Sequence, residues 1–156
     1  VQTGGNSSAL VDAAAAAVVA SGAYARAEGK KPLARVVAAA VVGVAPEIMG
    51  IGPAPAIQLL LERAGLKLDD IGRFEINEAQ GAQTLAVGRE LGLDLDKLNV
   101  NGGAIALGHP LAATGVRLTI TLARELRRAG LRYGVSSACI GGGQGIALLL
   151  ENPDAA

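Results

Sequence analysis

Hydrophobic positions along this chain follow two rhythms, short continuous runs and helical spacing, and the two alternate. Residues 33–44 form a valine-rich run that stops near Pro46, which predicts a buried strand. Pro53, Pro55 and Ala56 then open a segment in which Ile57, Leu60, Leu61 and Ala64 recur at helical spacing before Gly65, the pattern of a helix with a glycine stop. After a loop at 66–72, Phe74-Glu75-Ile76 predicts a short strand, and 79–91 a helix ending at Gly92, with Asn77 at the switch between them. Pro110 stands where a first-turn proline belongs. From there Leu111, Val116, Leu118, Ile120, Leu122 and Leu126 predict a helix that is apolar over most of its middle and calls for cover on several sides. Arg124, Arg127 and Arg128 suit its negative pole, and Gly130 closes it. Residues 133–139 and 145–150 predict two antiparallel strands joined by a glycine-lined connection. Residues 11–21 leave helix and strand open, because alanine favours the first while Val18 and Val19 favour the second; the polar stretch 24–31 follows. The alternation predicts an α/β layered domain with right-handed crossovers, and no linker or repeat divides residues 1–156.

Charge changes this picture by exclusion. The 156 residues carry 14 basic and 14 acidic side chains and 2 % aromatics, so neither phosphate neutralisation nor base stacking is provided for, and nucleic acid is excluded as a partner. At 51 % hydrophobic the chain is too apolar for disorder. No apolar run reaches the roughly 18 residues a bilayer span needs, so no membrane partner is expected either. Residues 1–8 show neither a basic nor an apolar section of a secretory signal. A single cysteine cannot form an internal disulfide, and the expectation is a cytoplasmic protein in a reducing environment.

Four residues are candidates for chemistry. His109, the only histidine, precedes Pro110 at the predicted start of the long helix, where a positive partial charge favours a neutral imidazole. Catalytic base and structural cap are evenly matched readings there. Cys139 ends a strand just before Gly141-Gly142-Gly143, whose backbone N–H groups are able to approach a reacting oxygen. A buried cysteine serving as a small hydrophobe is the competing reading, and a neighbouring cationic histidine would lower the thiol's pKa. Asn77 lies at the carboxyl end of a strand, where open α/β sheets place their sites; locally a helix N-cap leads. Glu78 reads as a favourable charge at a helix start. No phosphate-binding glycine motif fits, one histidine and one cysteine make no metal site, and no cofactor is expected.

Taken together, several blocks resemble one family, the C-terminal half of thiolases, which make or cleave 3-ketoacyl-CoA. The blocks are Thr3-Gly4-Gly5-Asn6-Ser7-Ser8, Met49-Gly50-Ile51-Gly52-Pro53-Ala54-Pro55-Ala56, Asn77-Glu78-Ala79, Asn99 to Pro110, and Cys139-Ile140-Gly141-Gly142-Gly143-Gln144-Gly145. The resemblance implies a thiolase-like βαβαβαββ unit, a five-stranded mixed sheet with helices on both faces. It implies acyl transfer between acyl-CoA thioesters, by Claisen condensation or thiolytic cleavage, with coenzyme A thioesters as substrates in fatty acid metabolism. By this resemblance His109 deprotonates a nucleophilic cysteine, Cys139 is a second acid/base at the α-carbon, Asn77 holds a water at the enolate oxygen, and the Gly141 N–H belongs to an oxyanion hole. Ser8, Met49, Ala79 and Gln80 fall along the path of the acyl chain and pantetheine arm.

Three departures stand beside these matches. The family's nucleophilic cysteine lies in its N-terminal half, which this chain lacks, so the expectation is a single C-terminal domain that needs a complementary half or a homo-oligomeric partner. Gln80-Gly81 replaces Phe-Ala of the family motif beside the acyl tunnel, and Ala112 replaces a glycine beyond Pro110. The alternative reading is a non-catalytic CoA- or acyl-binding domain, or an engineered stand-alone domain, on the same scaffold.

Overall fold

The apolar runs read as strands all enter one sheet in the computed structural model, which describes residues 2–155; Val1 and Ala156, the outermost residues of the expected domain, lie outside it. The chain runs α1 (Gly22–Ala27), β1 (Arg35–Gly43), α2 (Pro53–Ala64), β2 (Ile71–Ile76), α3 (Gly81–Leu91), α4 (Ala104–Leu107), α5 (Thr114–Ala129), β3 (Tyr133–Ile140) and β4 (Gln144–Glu151). Strand order is β1-β4-β3-β2, with β4 antiparallel to both neighbours and β3 parallel to β2. Pro53 at the start of α2 and left-handed Gly65, Gly92 and Gly130 after α2, α3 and α5 end the helices where the glycine stops predict.

Alternation along the strands sorts the side chains between two helical layers. Phe74, Ile76, Val135, Ala147 and Leu149 join Ile57, Leu60 and Leu61 of α2 in the larger cluster. Burying each such aliphatic side chain stabilises the fold by about 1.5–3 kcal/mol. Leu148 and Leu150 of β4 turn the other way, against Leu122, Ala123 and Leu126 of α5. Helices on both faces are therefore as expected.

Other expectations need correction. The sheet has four strands among the described residues, not five. Residues 11–21 form neither helix nor strand and are exposed, Val18 at 93 %. Alanine buries so little apolar area that pairing this run returns less than ordering its backbone costs. The long helix begins at Thr114 rather than Pro110, because Pro110–Ala113 make a separate turn whose Pro110 carbonyl accepts from Ala113 N, Thr114 N and Thr114 Oγ1. β2 starts earlier than read, at Ile71, and α3 later, at Gly81.

Backbone meets backbone where α2 begins. A Cβ on Gly52 would stand 2.5 Å from the Gln144 carbonyl oxygen, and one on Gly145 would overlap the Gly52 carbonyl. Two glycines far apart in the chain thus permit a single contact between α2 and β4.

The α5 face of β2 carries charge instead of aliphatic carbon. Arg128 donates to Glu125 from Nε and Nη2 at 2.7 and 2.8 Å, Asn101 Nδ2 at 3.1 Å and Arg73 Nε at 3.2 Å. These bonds, Arg128's foremost, hold the Glu125 carboxyl down to about 2 although burial opposes them. Glu75 is 1 % exposed, and burial pushes its carboxyl up to about 7 against the attraction of Arg117, with Glu78 and Glu125 adding repulsion.

Two outcomes follow for stability. Gly145→Ala is expected to lower the free energy of unfolding in urea by more than about 2 kcal/mol, while Gly115→Ala, with open space around it on α5, changes it by less than about 1 kcal/mol in either direction. Glu75 is neutral in folded and unfolded chain below pH 4.5; as pH rises to about 7 the unfolded chain ionises it first, so its contribution to stability falls across that window. Glu75→Gln is expected to flatten that fall, read by denaturation at a series of pH values; an unchanged slope contradicts it.

Candidate active site

Most of the candidate residues gather beyond the carboxyl ends of the parallel pair β2 and β3. Asn77 extends the ladder, its N–H donating to Ser137 O at 2.9 Å. Its side chain is 1 % exposed and its Oδ1 has no hydrogen-bond partner. The N-cap of α3 is Gln80, which corrects the local reading of Asn77 as a cap. A buried, unpartnered carbonyl oxygen at a strand end is an acceptor waiting for a donor from outside the chain.

Glu78 has a larger part than a charge at a helix start. Its Oε1 accepts from Asn99 Nδ2 at 2.9 Å and its Oε2 from Ile105 N at 3.1 Å, capping α4 rather than α3. Gly103 makes this possible, since a Cβ there would collide with the carboxylate. Asn99 also bonds the N–H and the C=O of Ile76 through its amide, both at 2.9 Å, from a backbone with φ of 46°. The Asn77-Glu78-Ala79 and Asn99–Pro110 blocks are thus one structure.

The amino-terminal segment is threaded between them. Ser7 bridges to Gln80, Ser8 donates to Ala79 O from N at 3.1 Å and from Oγ at 3.3 Å, and Ala9 O accepts from His109 N at 2.8 Å. The amino-terminal segment therefore joins the Ala79–Gln80 loop to His109 through backbone contacts. The Gln80 carbonyl receives Thr84 N and Oγ1, so its backbone opens α3.

His109 is half-buried, and its Nδ1 lies 2.7 Å from Thr114 Oγ1. The same hydroxyl lies 3.0 Å from Pro110 O, so it ties the imidazole to the turn before α5. Burial first, and the Arg117 charge second, lower the imidazole's pKa, so the ring is neutral near pH 7. Because α5 starts five residues later, burial and Arg117 take the place of the helix terminus in this effect. The ring opens on a groove lined by Leu10, Val11, Asp12, Leu111 and Ala112. Ala112 is exposed there, and its methyl crowds nothing in α5.

Cys139 lies near the end of β3, half-buried, one residue before exposed Ile140. Burial pushes its thiol up, the reverse of the lowering expected from a cationic neighbour, and His109 is not among the groups that act on it. Gly141 to Gly143 turn the chain into β4, Gly142 and Gly143 at φ of 88° and 99°, where a side chain would be strained. Gly141 is exposed at the head of this turn. Met49, half-buried on the 3-10 turn Pro46–Ile51, borders the same loop, which Val44 N joins through Gly143 O at 2.8 Å. Asn77 N, through Ser137 O, links the loop after β2 to the strand that carries Cys139. Thr114 and Arg117 escaped the sequence reading; the spacing of a hydroxyl five residues after the histidine was the available signal for the first.

Among the described residues no group of side chains is suited to a metal ion, and no helix is long and apolar enough to cross a membrane. Residues 30–152 match the family model for the thiolase C-terminal domain. The human mitochondrial 3-ketoacyl-CoA thiolase is 53 % identical over 150 residues, and an Escherichia coli 3-oxoadipyl-CoA/3-oxo-5,6-dehydrosuberyl-CoA thiolase 52 % over 153; these stretches are 96 % and 97 % of this chain and 38 % of each relative. Among solved structures, the Bacillus anthracis acetyl-CoA acetyltransferase superposes with a TM-score of 0.94 at 51 % identity and the human mitochondrial enzyme in complex with CoA with 0.90 at 50 %, each over 96 % of this chain and 38 % of the other. The chain thus spans well under half the length of these relatives. The animal relatives from human, cattle and mouse are described as mitochondrial, which corrects the expectation of a cytoplasmic protein: a lone thiol reports reducing conditions and does not distinguish compartments. With sequence, domain model and superposition in agreement, this chain belongs to the thiolase family, as its C-terminal domain.

Proposed function

We propose that this domain supplies the acid/base and oxyanion-binding half of a thiolase active site and acts on acyl-CoA thioesters together with an N-terminal half. The observation that carries the reading is the setting of His109, half-buried on a groove with its Nδ1 2.7 Å from Thr114 Oγ1. In this reading Nδ1 donates to Thr114 Oγ1 and Nε2 keeps its lone pair, the form a general base needs. In this reading Nε2 takes the proton of a nucleophilic cysteine, whose sulfur attacks the thioester carbonyl and releases CoA as the thiol. That cysteine comes from the N-terminal half, since Cys139, the only cysteine of these 156 residues, has another part in this reading.

Cys139 exchanges a proton with the substrate's α-carbon. Its raised pKa suits a thiol that gives its proton to an enolate and takes it back in the condensing direction. Asn77 Oδ1, buried and without a partner, accepts from a water that donates to the enolate oxygen. The Gly141 N–H faces the thioester oxygen, and Ser8, Met49, Ala79 and Gln80 line the acyl and pantetheine path. Gln80 in place of an aromatic makes that path more polar and disfavours long alkyl chains. The complementary half, or a second copy, covers the outer stripe of α5 at Gly115, Val116 and Thr119.

Combined with a thiolase N-terminal half, the domain is expected to restore acetyl-CoA condensation measured by CoA release. His109→Ala and Cys139→Ala should each then lower the rate by about a hundredfold or more. Turnover by the domain alone, or full activity of His109→Ala, contradicts the reading. Thr114→Val should remove the preference for Nδ1–H, visible in the imidazole ¹⁵N shifts, while Thr114→Ser retains it; identical spectra for the two overturn the tautomer argument.

A further inference from the structure

Little regular structure holds the backbone around His109. The helix before it, α4, spans only Ala104–Leu107, Leu107 and Leu111 on either side are exposed, and α5 does not begin until Thr114. The bond that His109 N makes leaves its own segment altogether, for Ala9 O at 2.8 Å. Two residues beyond Ala9, Val11 is seated on Gly108: a Cβ on that buried glycine would stand 2.5 and 2.6 Å from the two methyl carbons of the valine. Val11 thus fills the space of the missing side chain, against a backbone whose φ of 90° glycine alone adopts freely. Exposure records the seat. Leu10, Val18 and Val19 are 78, 93 and 86 % exposed, and Val11 39 %. The same length of chain is fixed to the loop after β2 at its other end, where a Cβ on Gly81 would stand 3.5 Å from Asn6 O, Ser7 bridges Gln80, and Ser8 bonds Ala79 O.

We propose that residues 6–11 form a strap across the site and that Val11 is a positioning residue for His109, acting through its seat on Gly108. A single hydrogen bond leaves the segment free to pivot about its N···O axis. A branched, rotamer-restricted side chain pressed beside that bond removes the freedom and keeps the Ala9 carbonyl turned to His109 N. Thr114 Oγ1 holds the ring at Nδ1, 2.7 Å away, so backbone and imidazole each have their own anchor. A base has to stay within about 0.5 Å of its working place, and a displacement of about 1 Å costs on the order of a hundredfold in rate. Because one strap meets both loops, it also fixes the distance between His109 and the segment that carries Ala79 and Gln80.

This inference rests on His109 serving as a base, but its first test needs no turnover. Amide hydrogen exchange is followed by NMR in the intact chain. Val11→Ala removes the two seated methyl groups and is expected to speed exchange of the His109 N–H by about tenfold, with the β3 and β4 amides unchanged. Val11→Ile keeps both γ carbons and should restore the slow rate. Val18→Ala, the same change at an exposed position of the same run, should leave it untouched. An unmoved His109 rate in Val11→Ala, an equal rise in Val18→Ala, no rescue by Val11→Ile, or a parallel rise across β3 and β4 overturns the proposal. Combined with a thiolase N-terminal half, Val11→Ala should lower kcat for condensation by about tenfold and keep KM for acetyl-CoA within about twofold. A change confined to KM makes Val11 a binding residue and overturns the positioning role. Absence of turnover with the unaltered chain would fault the catalytic reading instead, and the exchange rates would still decide the strap.

Discussion

Glu78 accepts hydrogen bonds from two segments more than twenty residues further along, the Asn99 amide and the Ile105 N–H. Asn99 in turn satisfies both backbone groups of Ile76, standing in for a strand that the sheet's edge lacks. Loops that bear chemistry are ordinarily the least ordered part of an α/β domain. Here a single carboxylate and a single amide, both drawn out of bulk water, fix the loop after β2 to the segment that leads to His109. The cost is stringent backbone geometry: Asn99 adopts a positive φ, and Gly103 leaves no room for a Cβ. The positions of Asn77, Ala79 and His109 are consequences of that joint.

The two faces of the sheet divide the remaining work. Against α2, aliphatic side chains interlock and glycines let backbones touch, which supplies stability and little else. Against α5, the aliphatic cluster is small, and the strand that leads to Asn77 carries Arg73 and Glu75 instead. Replacing buried charge with hydrocarbon would stabilise most folds. A buried carboxyl pushed up to about 7, with the Arg117 guanidinium of α5 beside it, and an unpartnered amide oxygen at the end of β2 set this face apart from the aliphatic one.

Elements whose order rests on local physics were legible in the chain. The β1 run as a strand, though not its mostly exposed place at the sheet edge where a buried strand was expected, the proline start and glycine stop of α2, the glycine ends of α3 and α5 and the β3–β4 hairpin depend on propensity, on φ and on side-chain period. The alanine-rich 11–21 stretch was not, because alanine carries too little side chain for its periodicity to report a buried face. Nor was the start of α5, where Thr114 and the Pro110 carbonyl close a separate turn around His109. Glu78 read as an ordinary helix-start charge since its partners lie far along the chain.

By itself the sequence determined the layer class, the helix stops and the residue types able to do the chemistry, since each depends on neighbours a few positions away. It also determined the family, because ordered blocks of glycine, asparagine, histidine and cysteine carry that information directly. Only the tertiary structure decided the number of strands, the contact between His109 and Thr114 and the burial that raises the thiol of Cys139. Those follow from burial and from contacts between distant segments, and a hydrogen bond or a low dielectric exists only after the chain has brought its partners together.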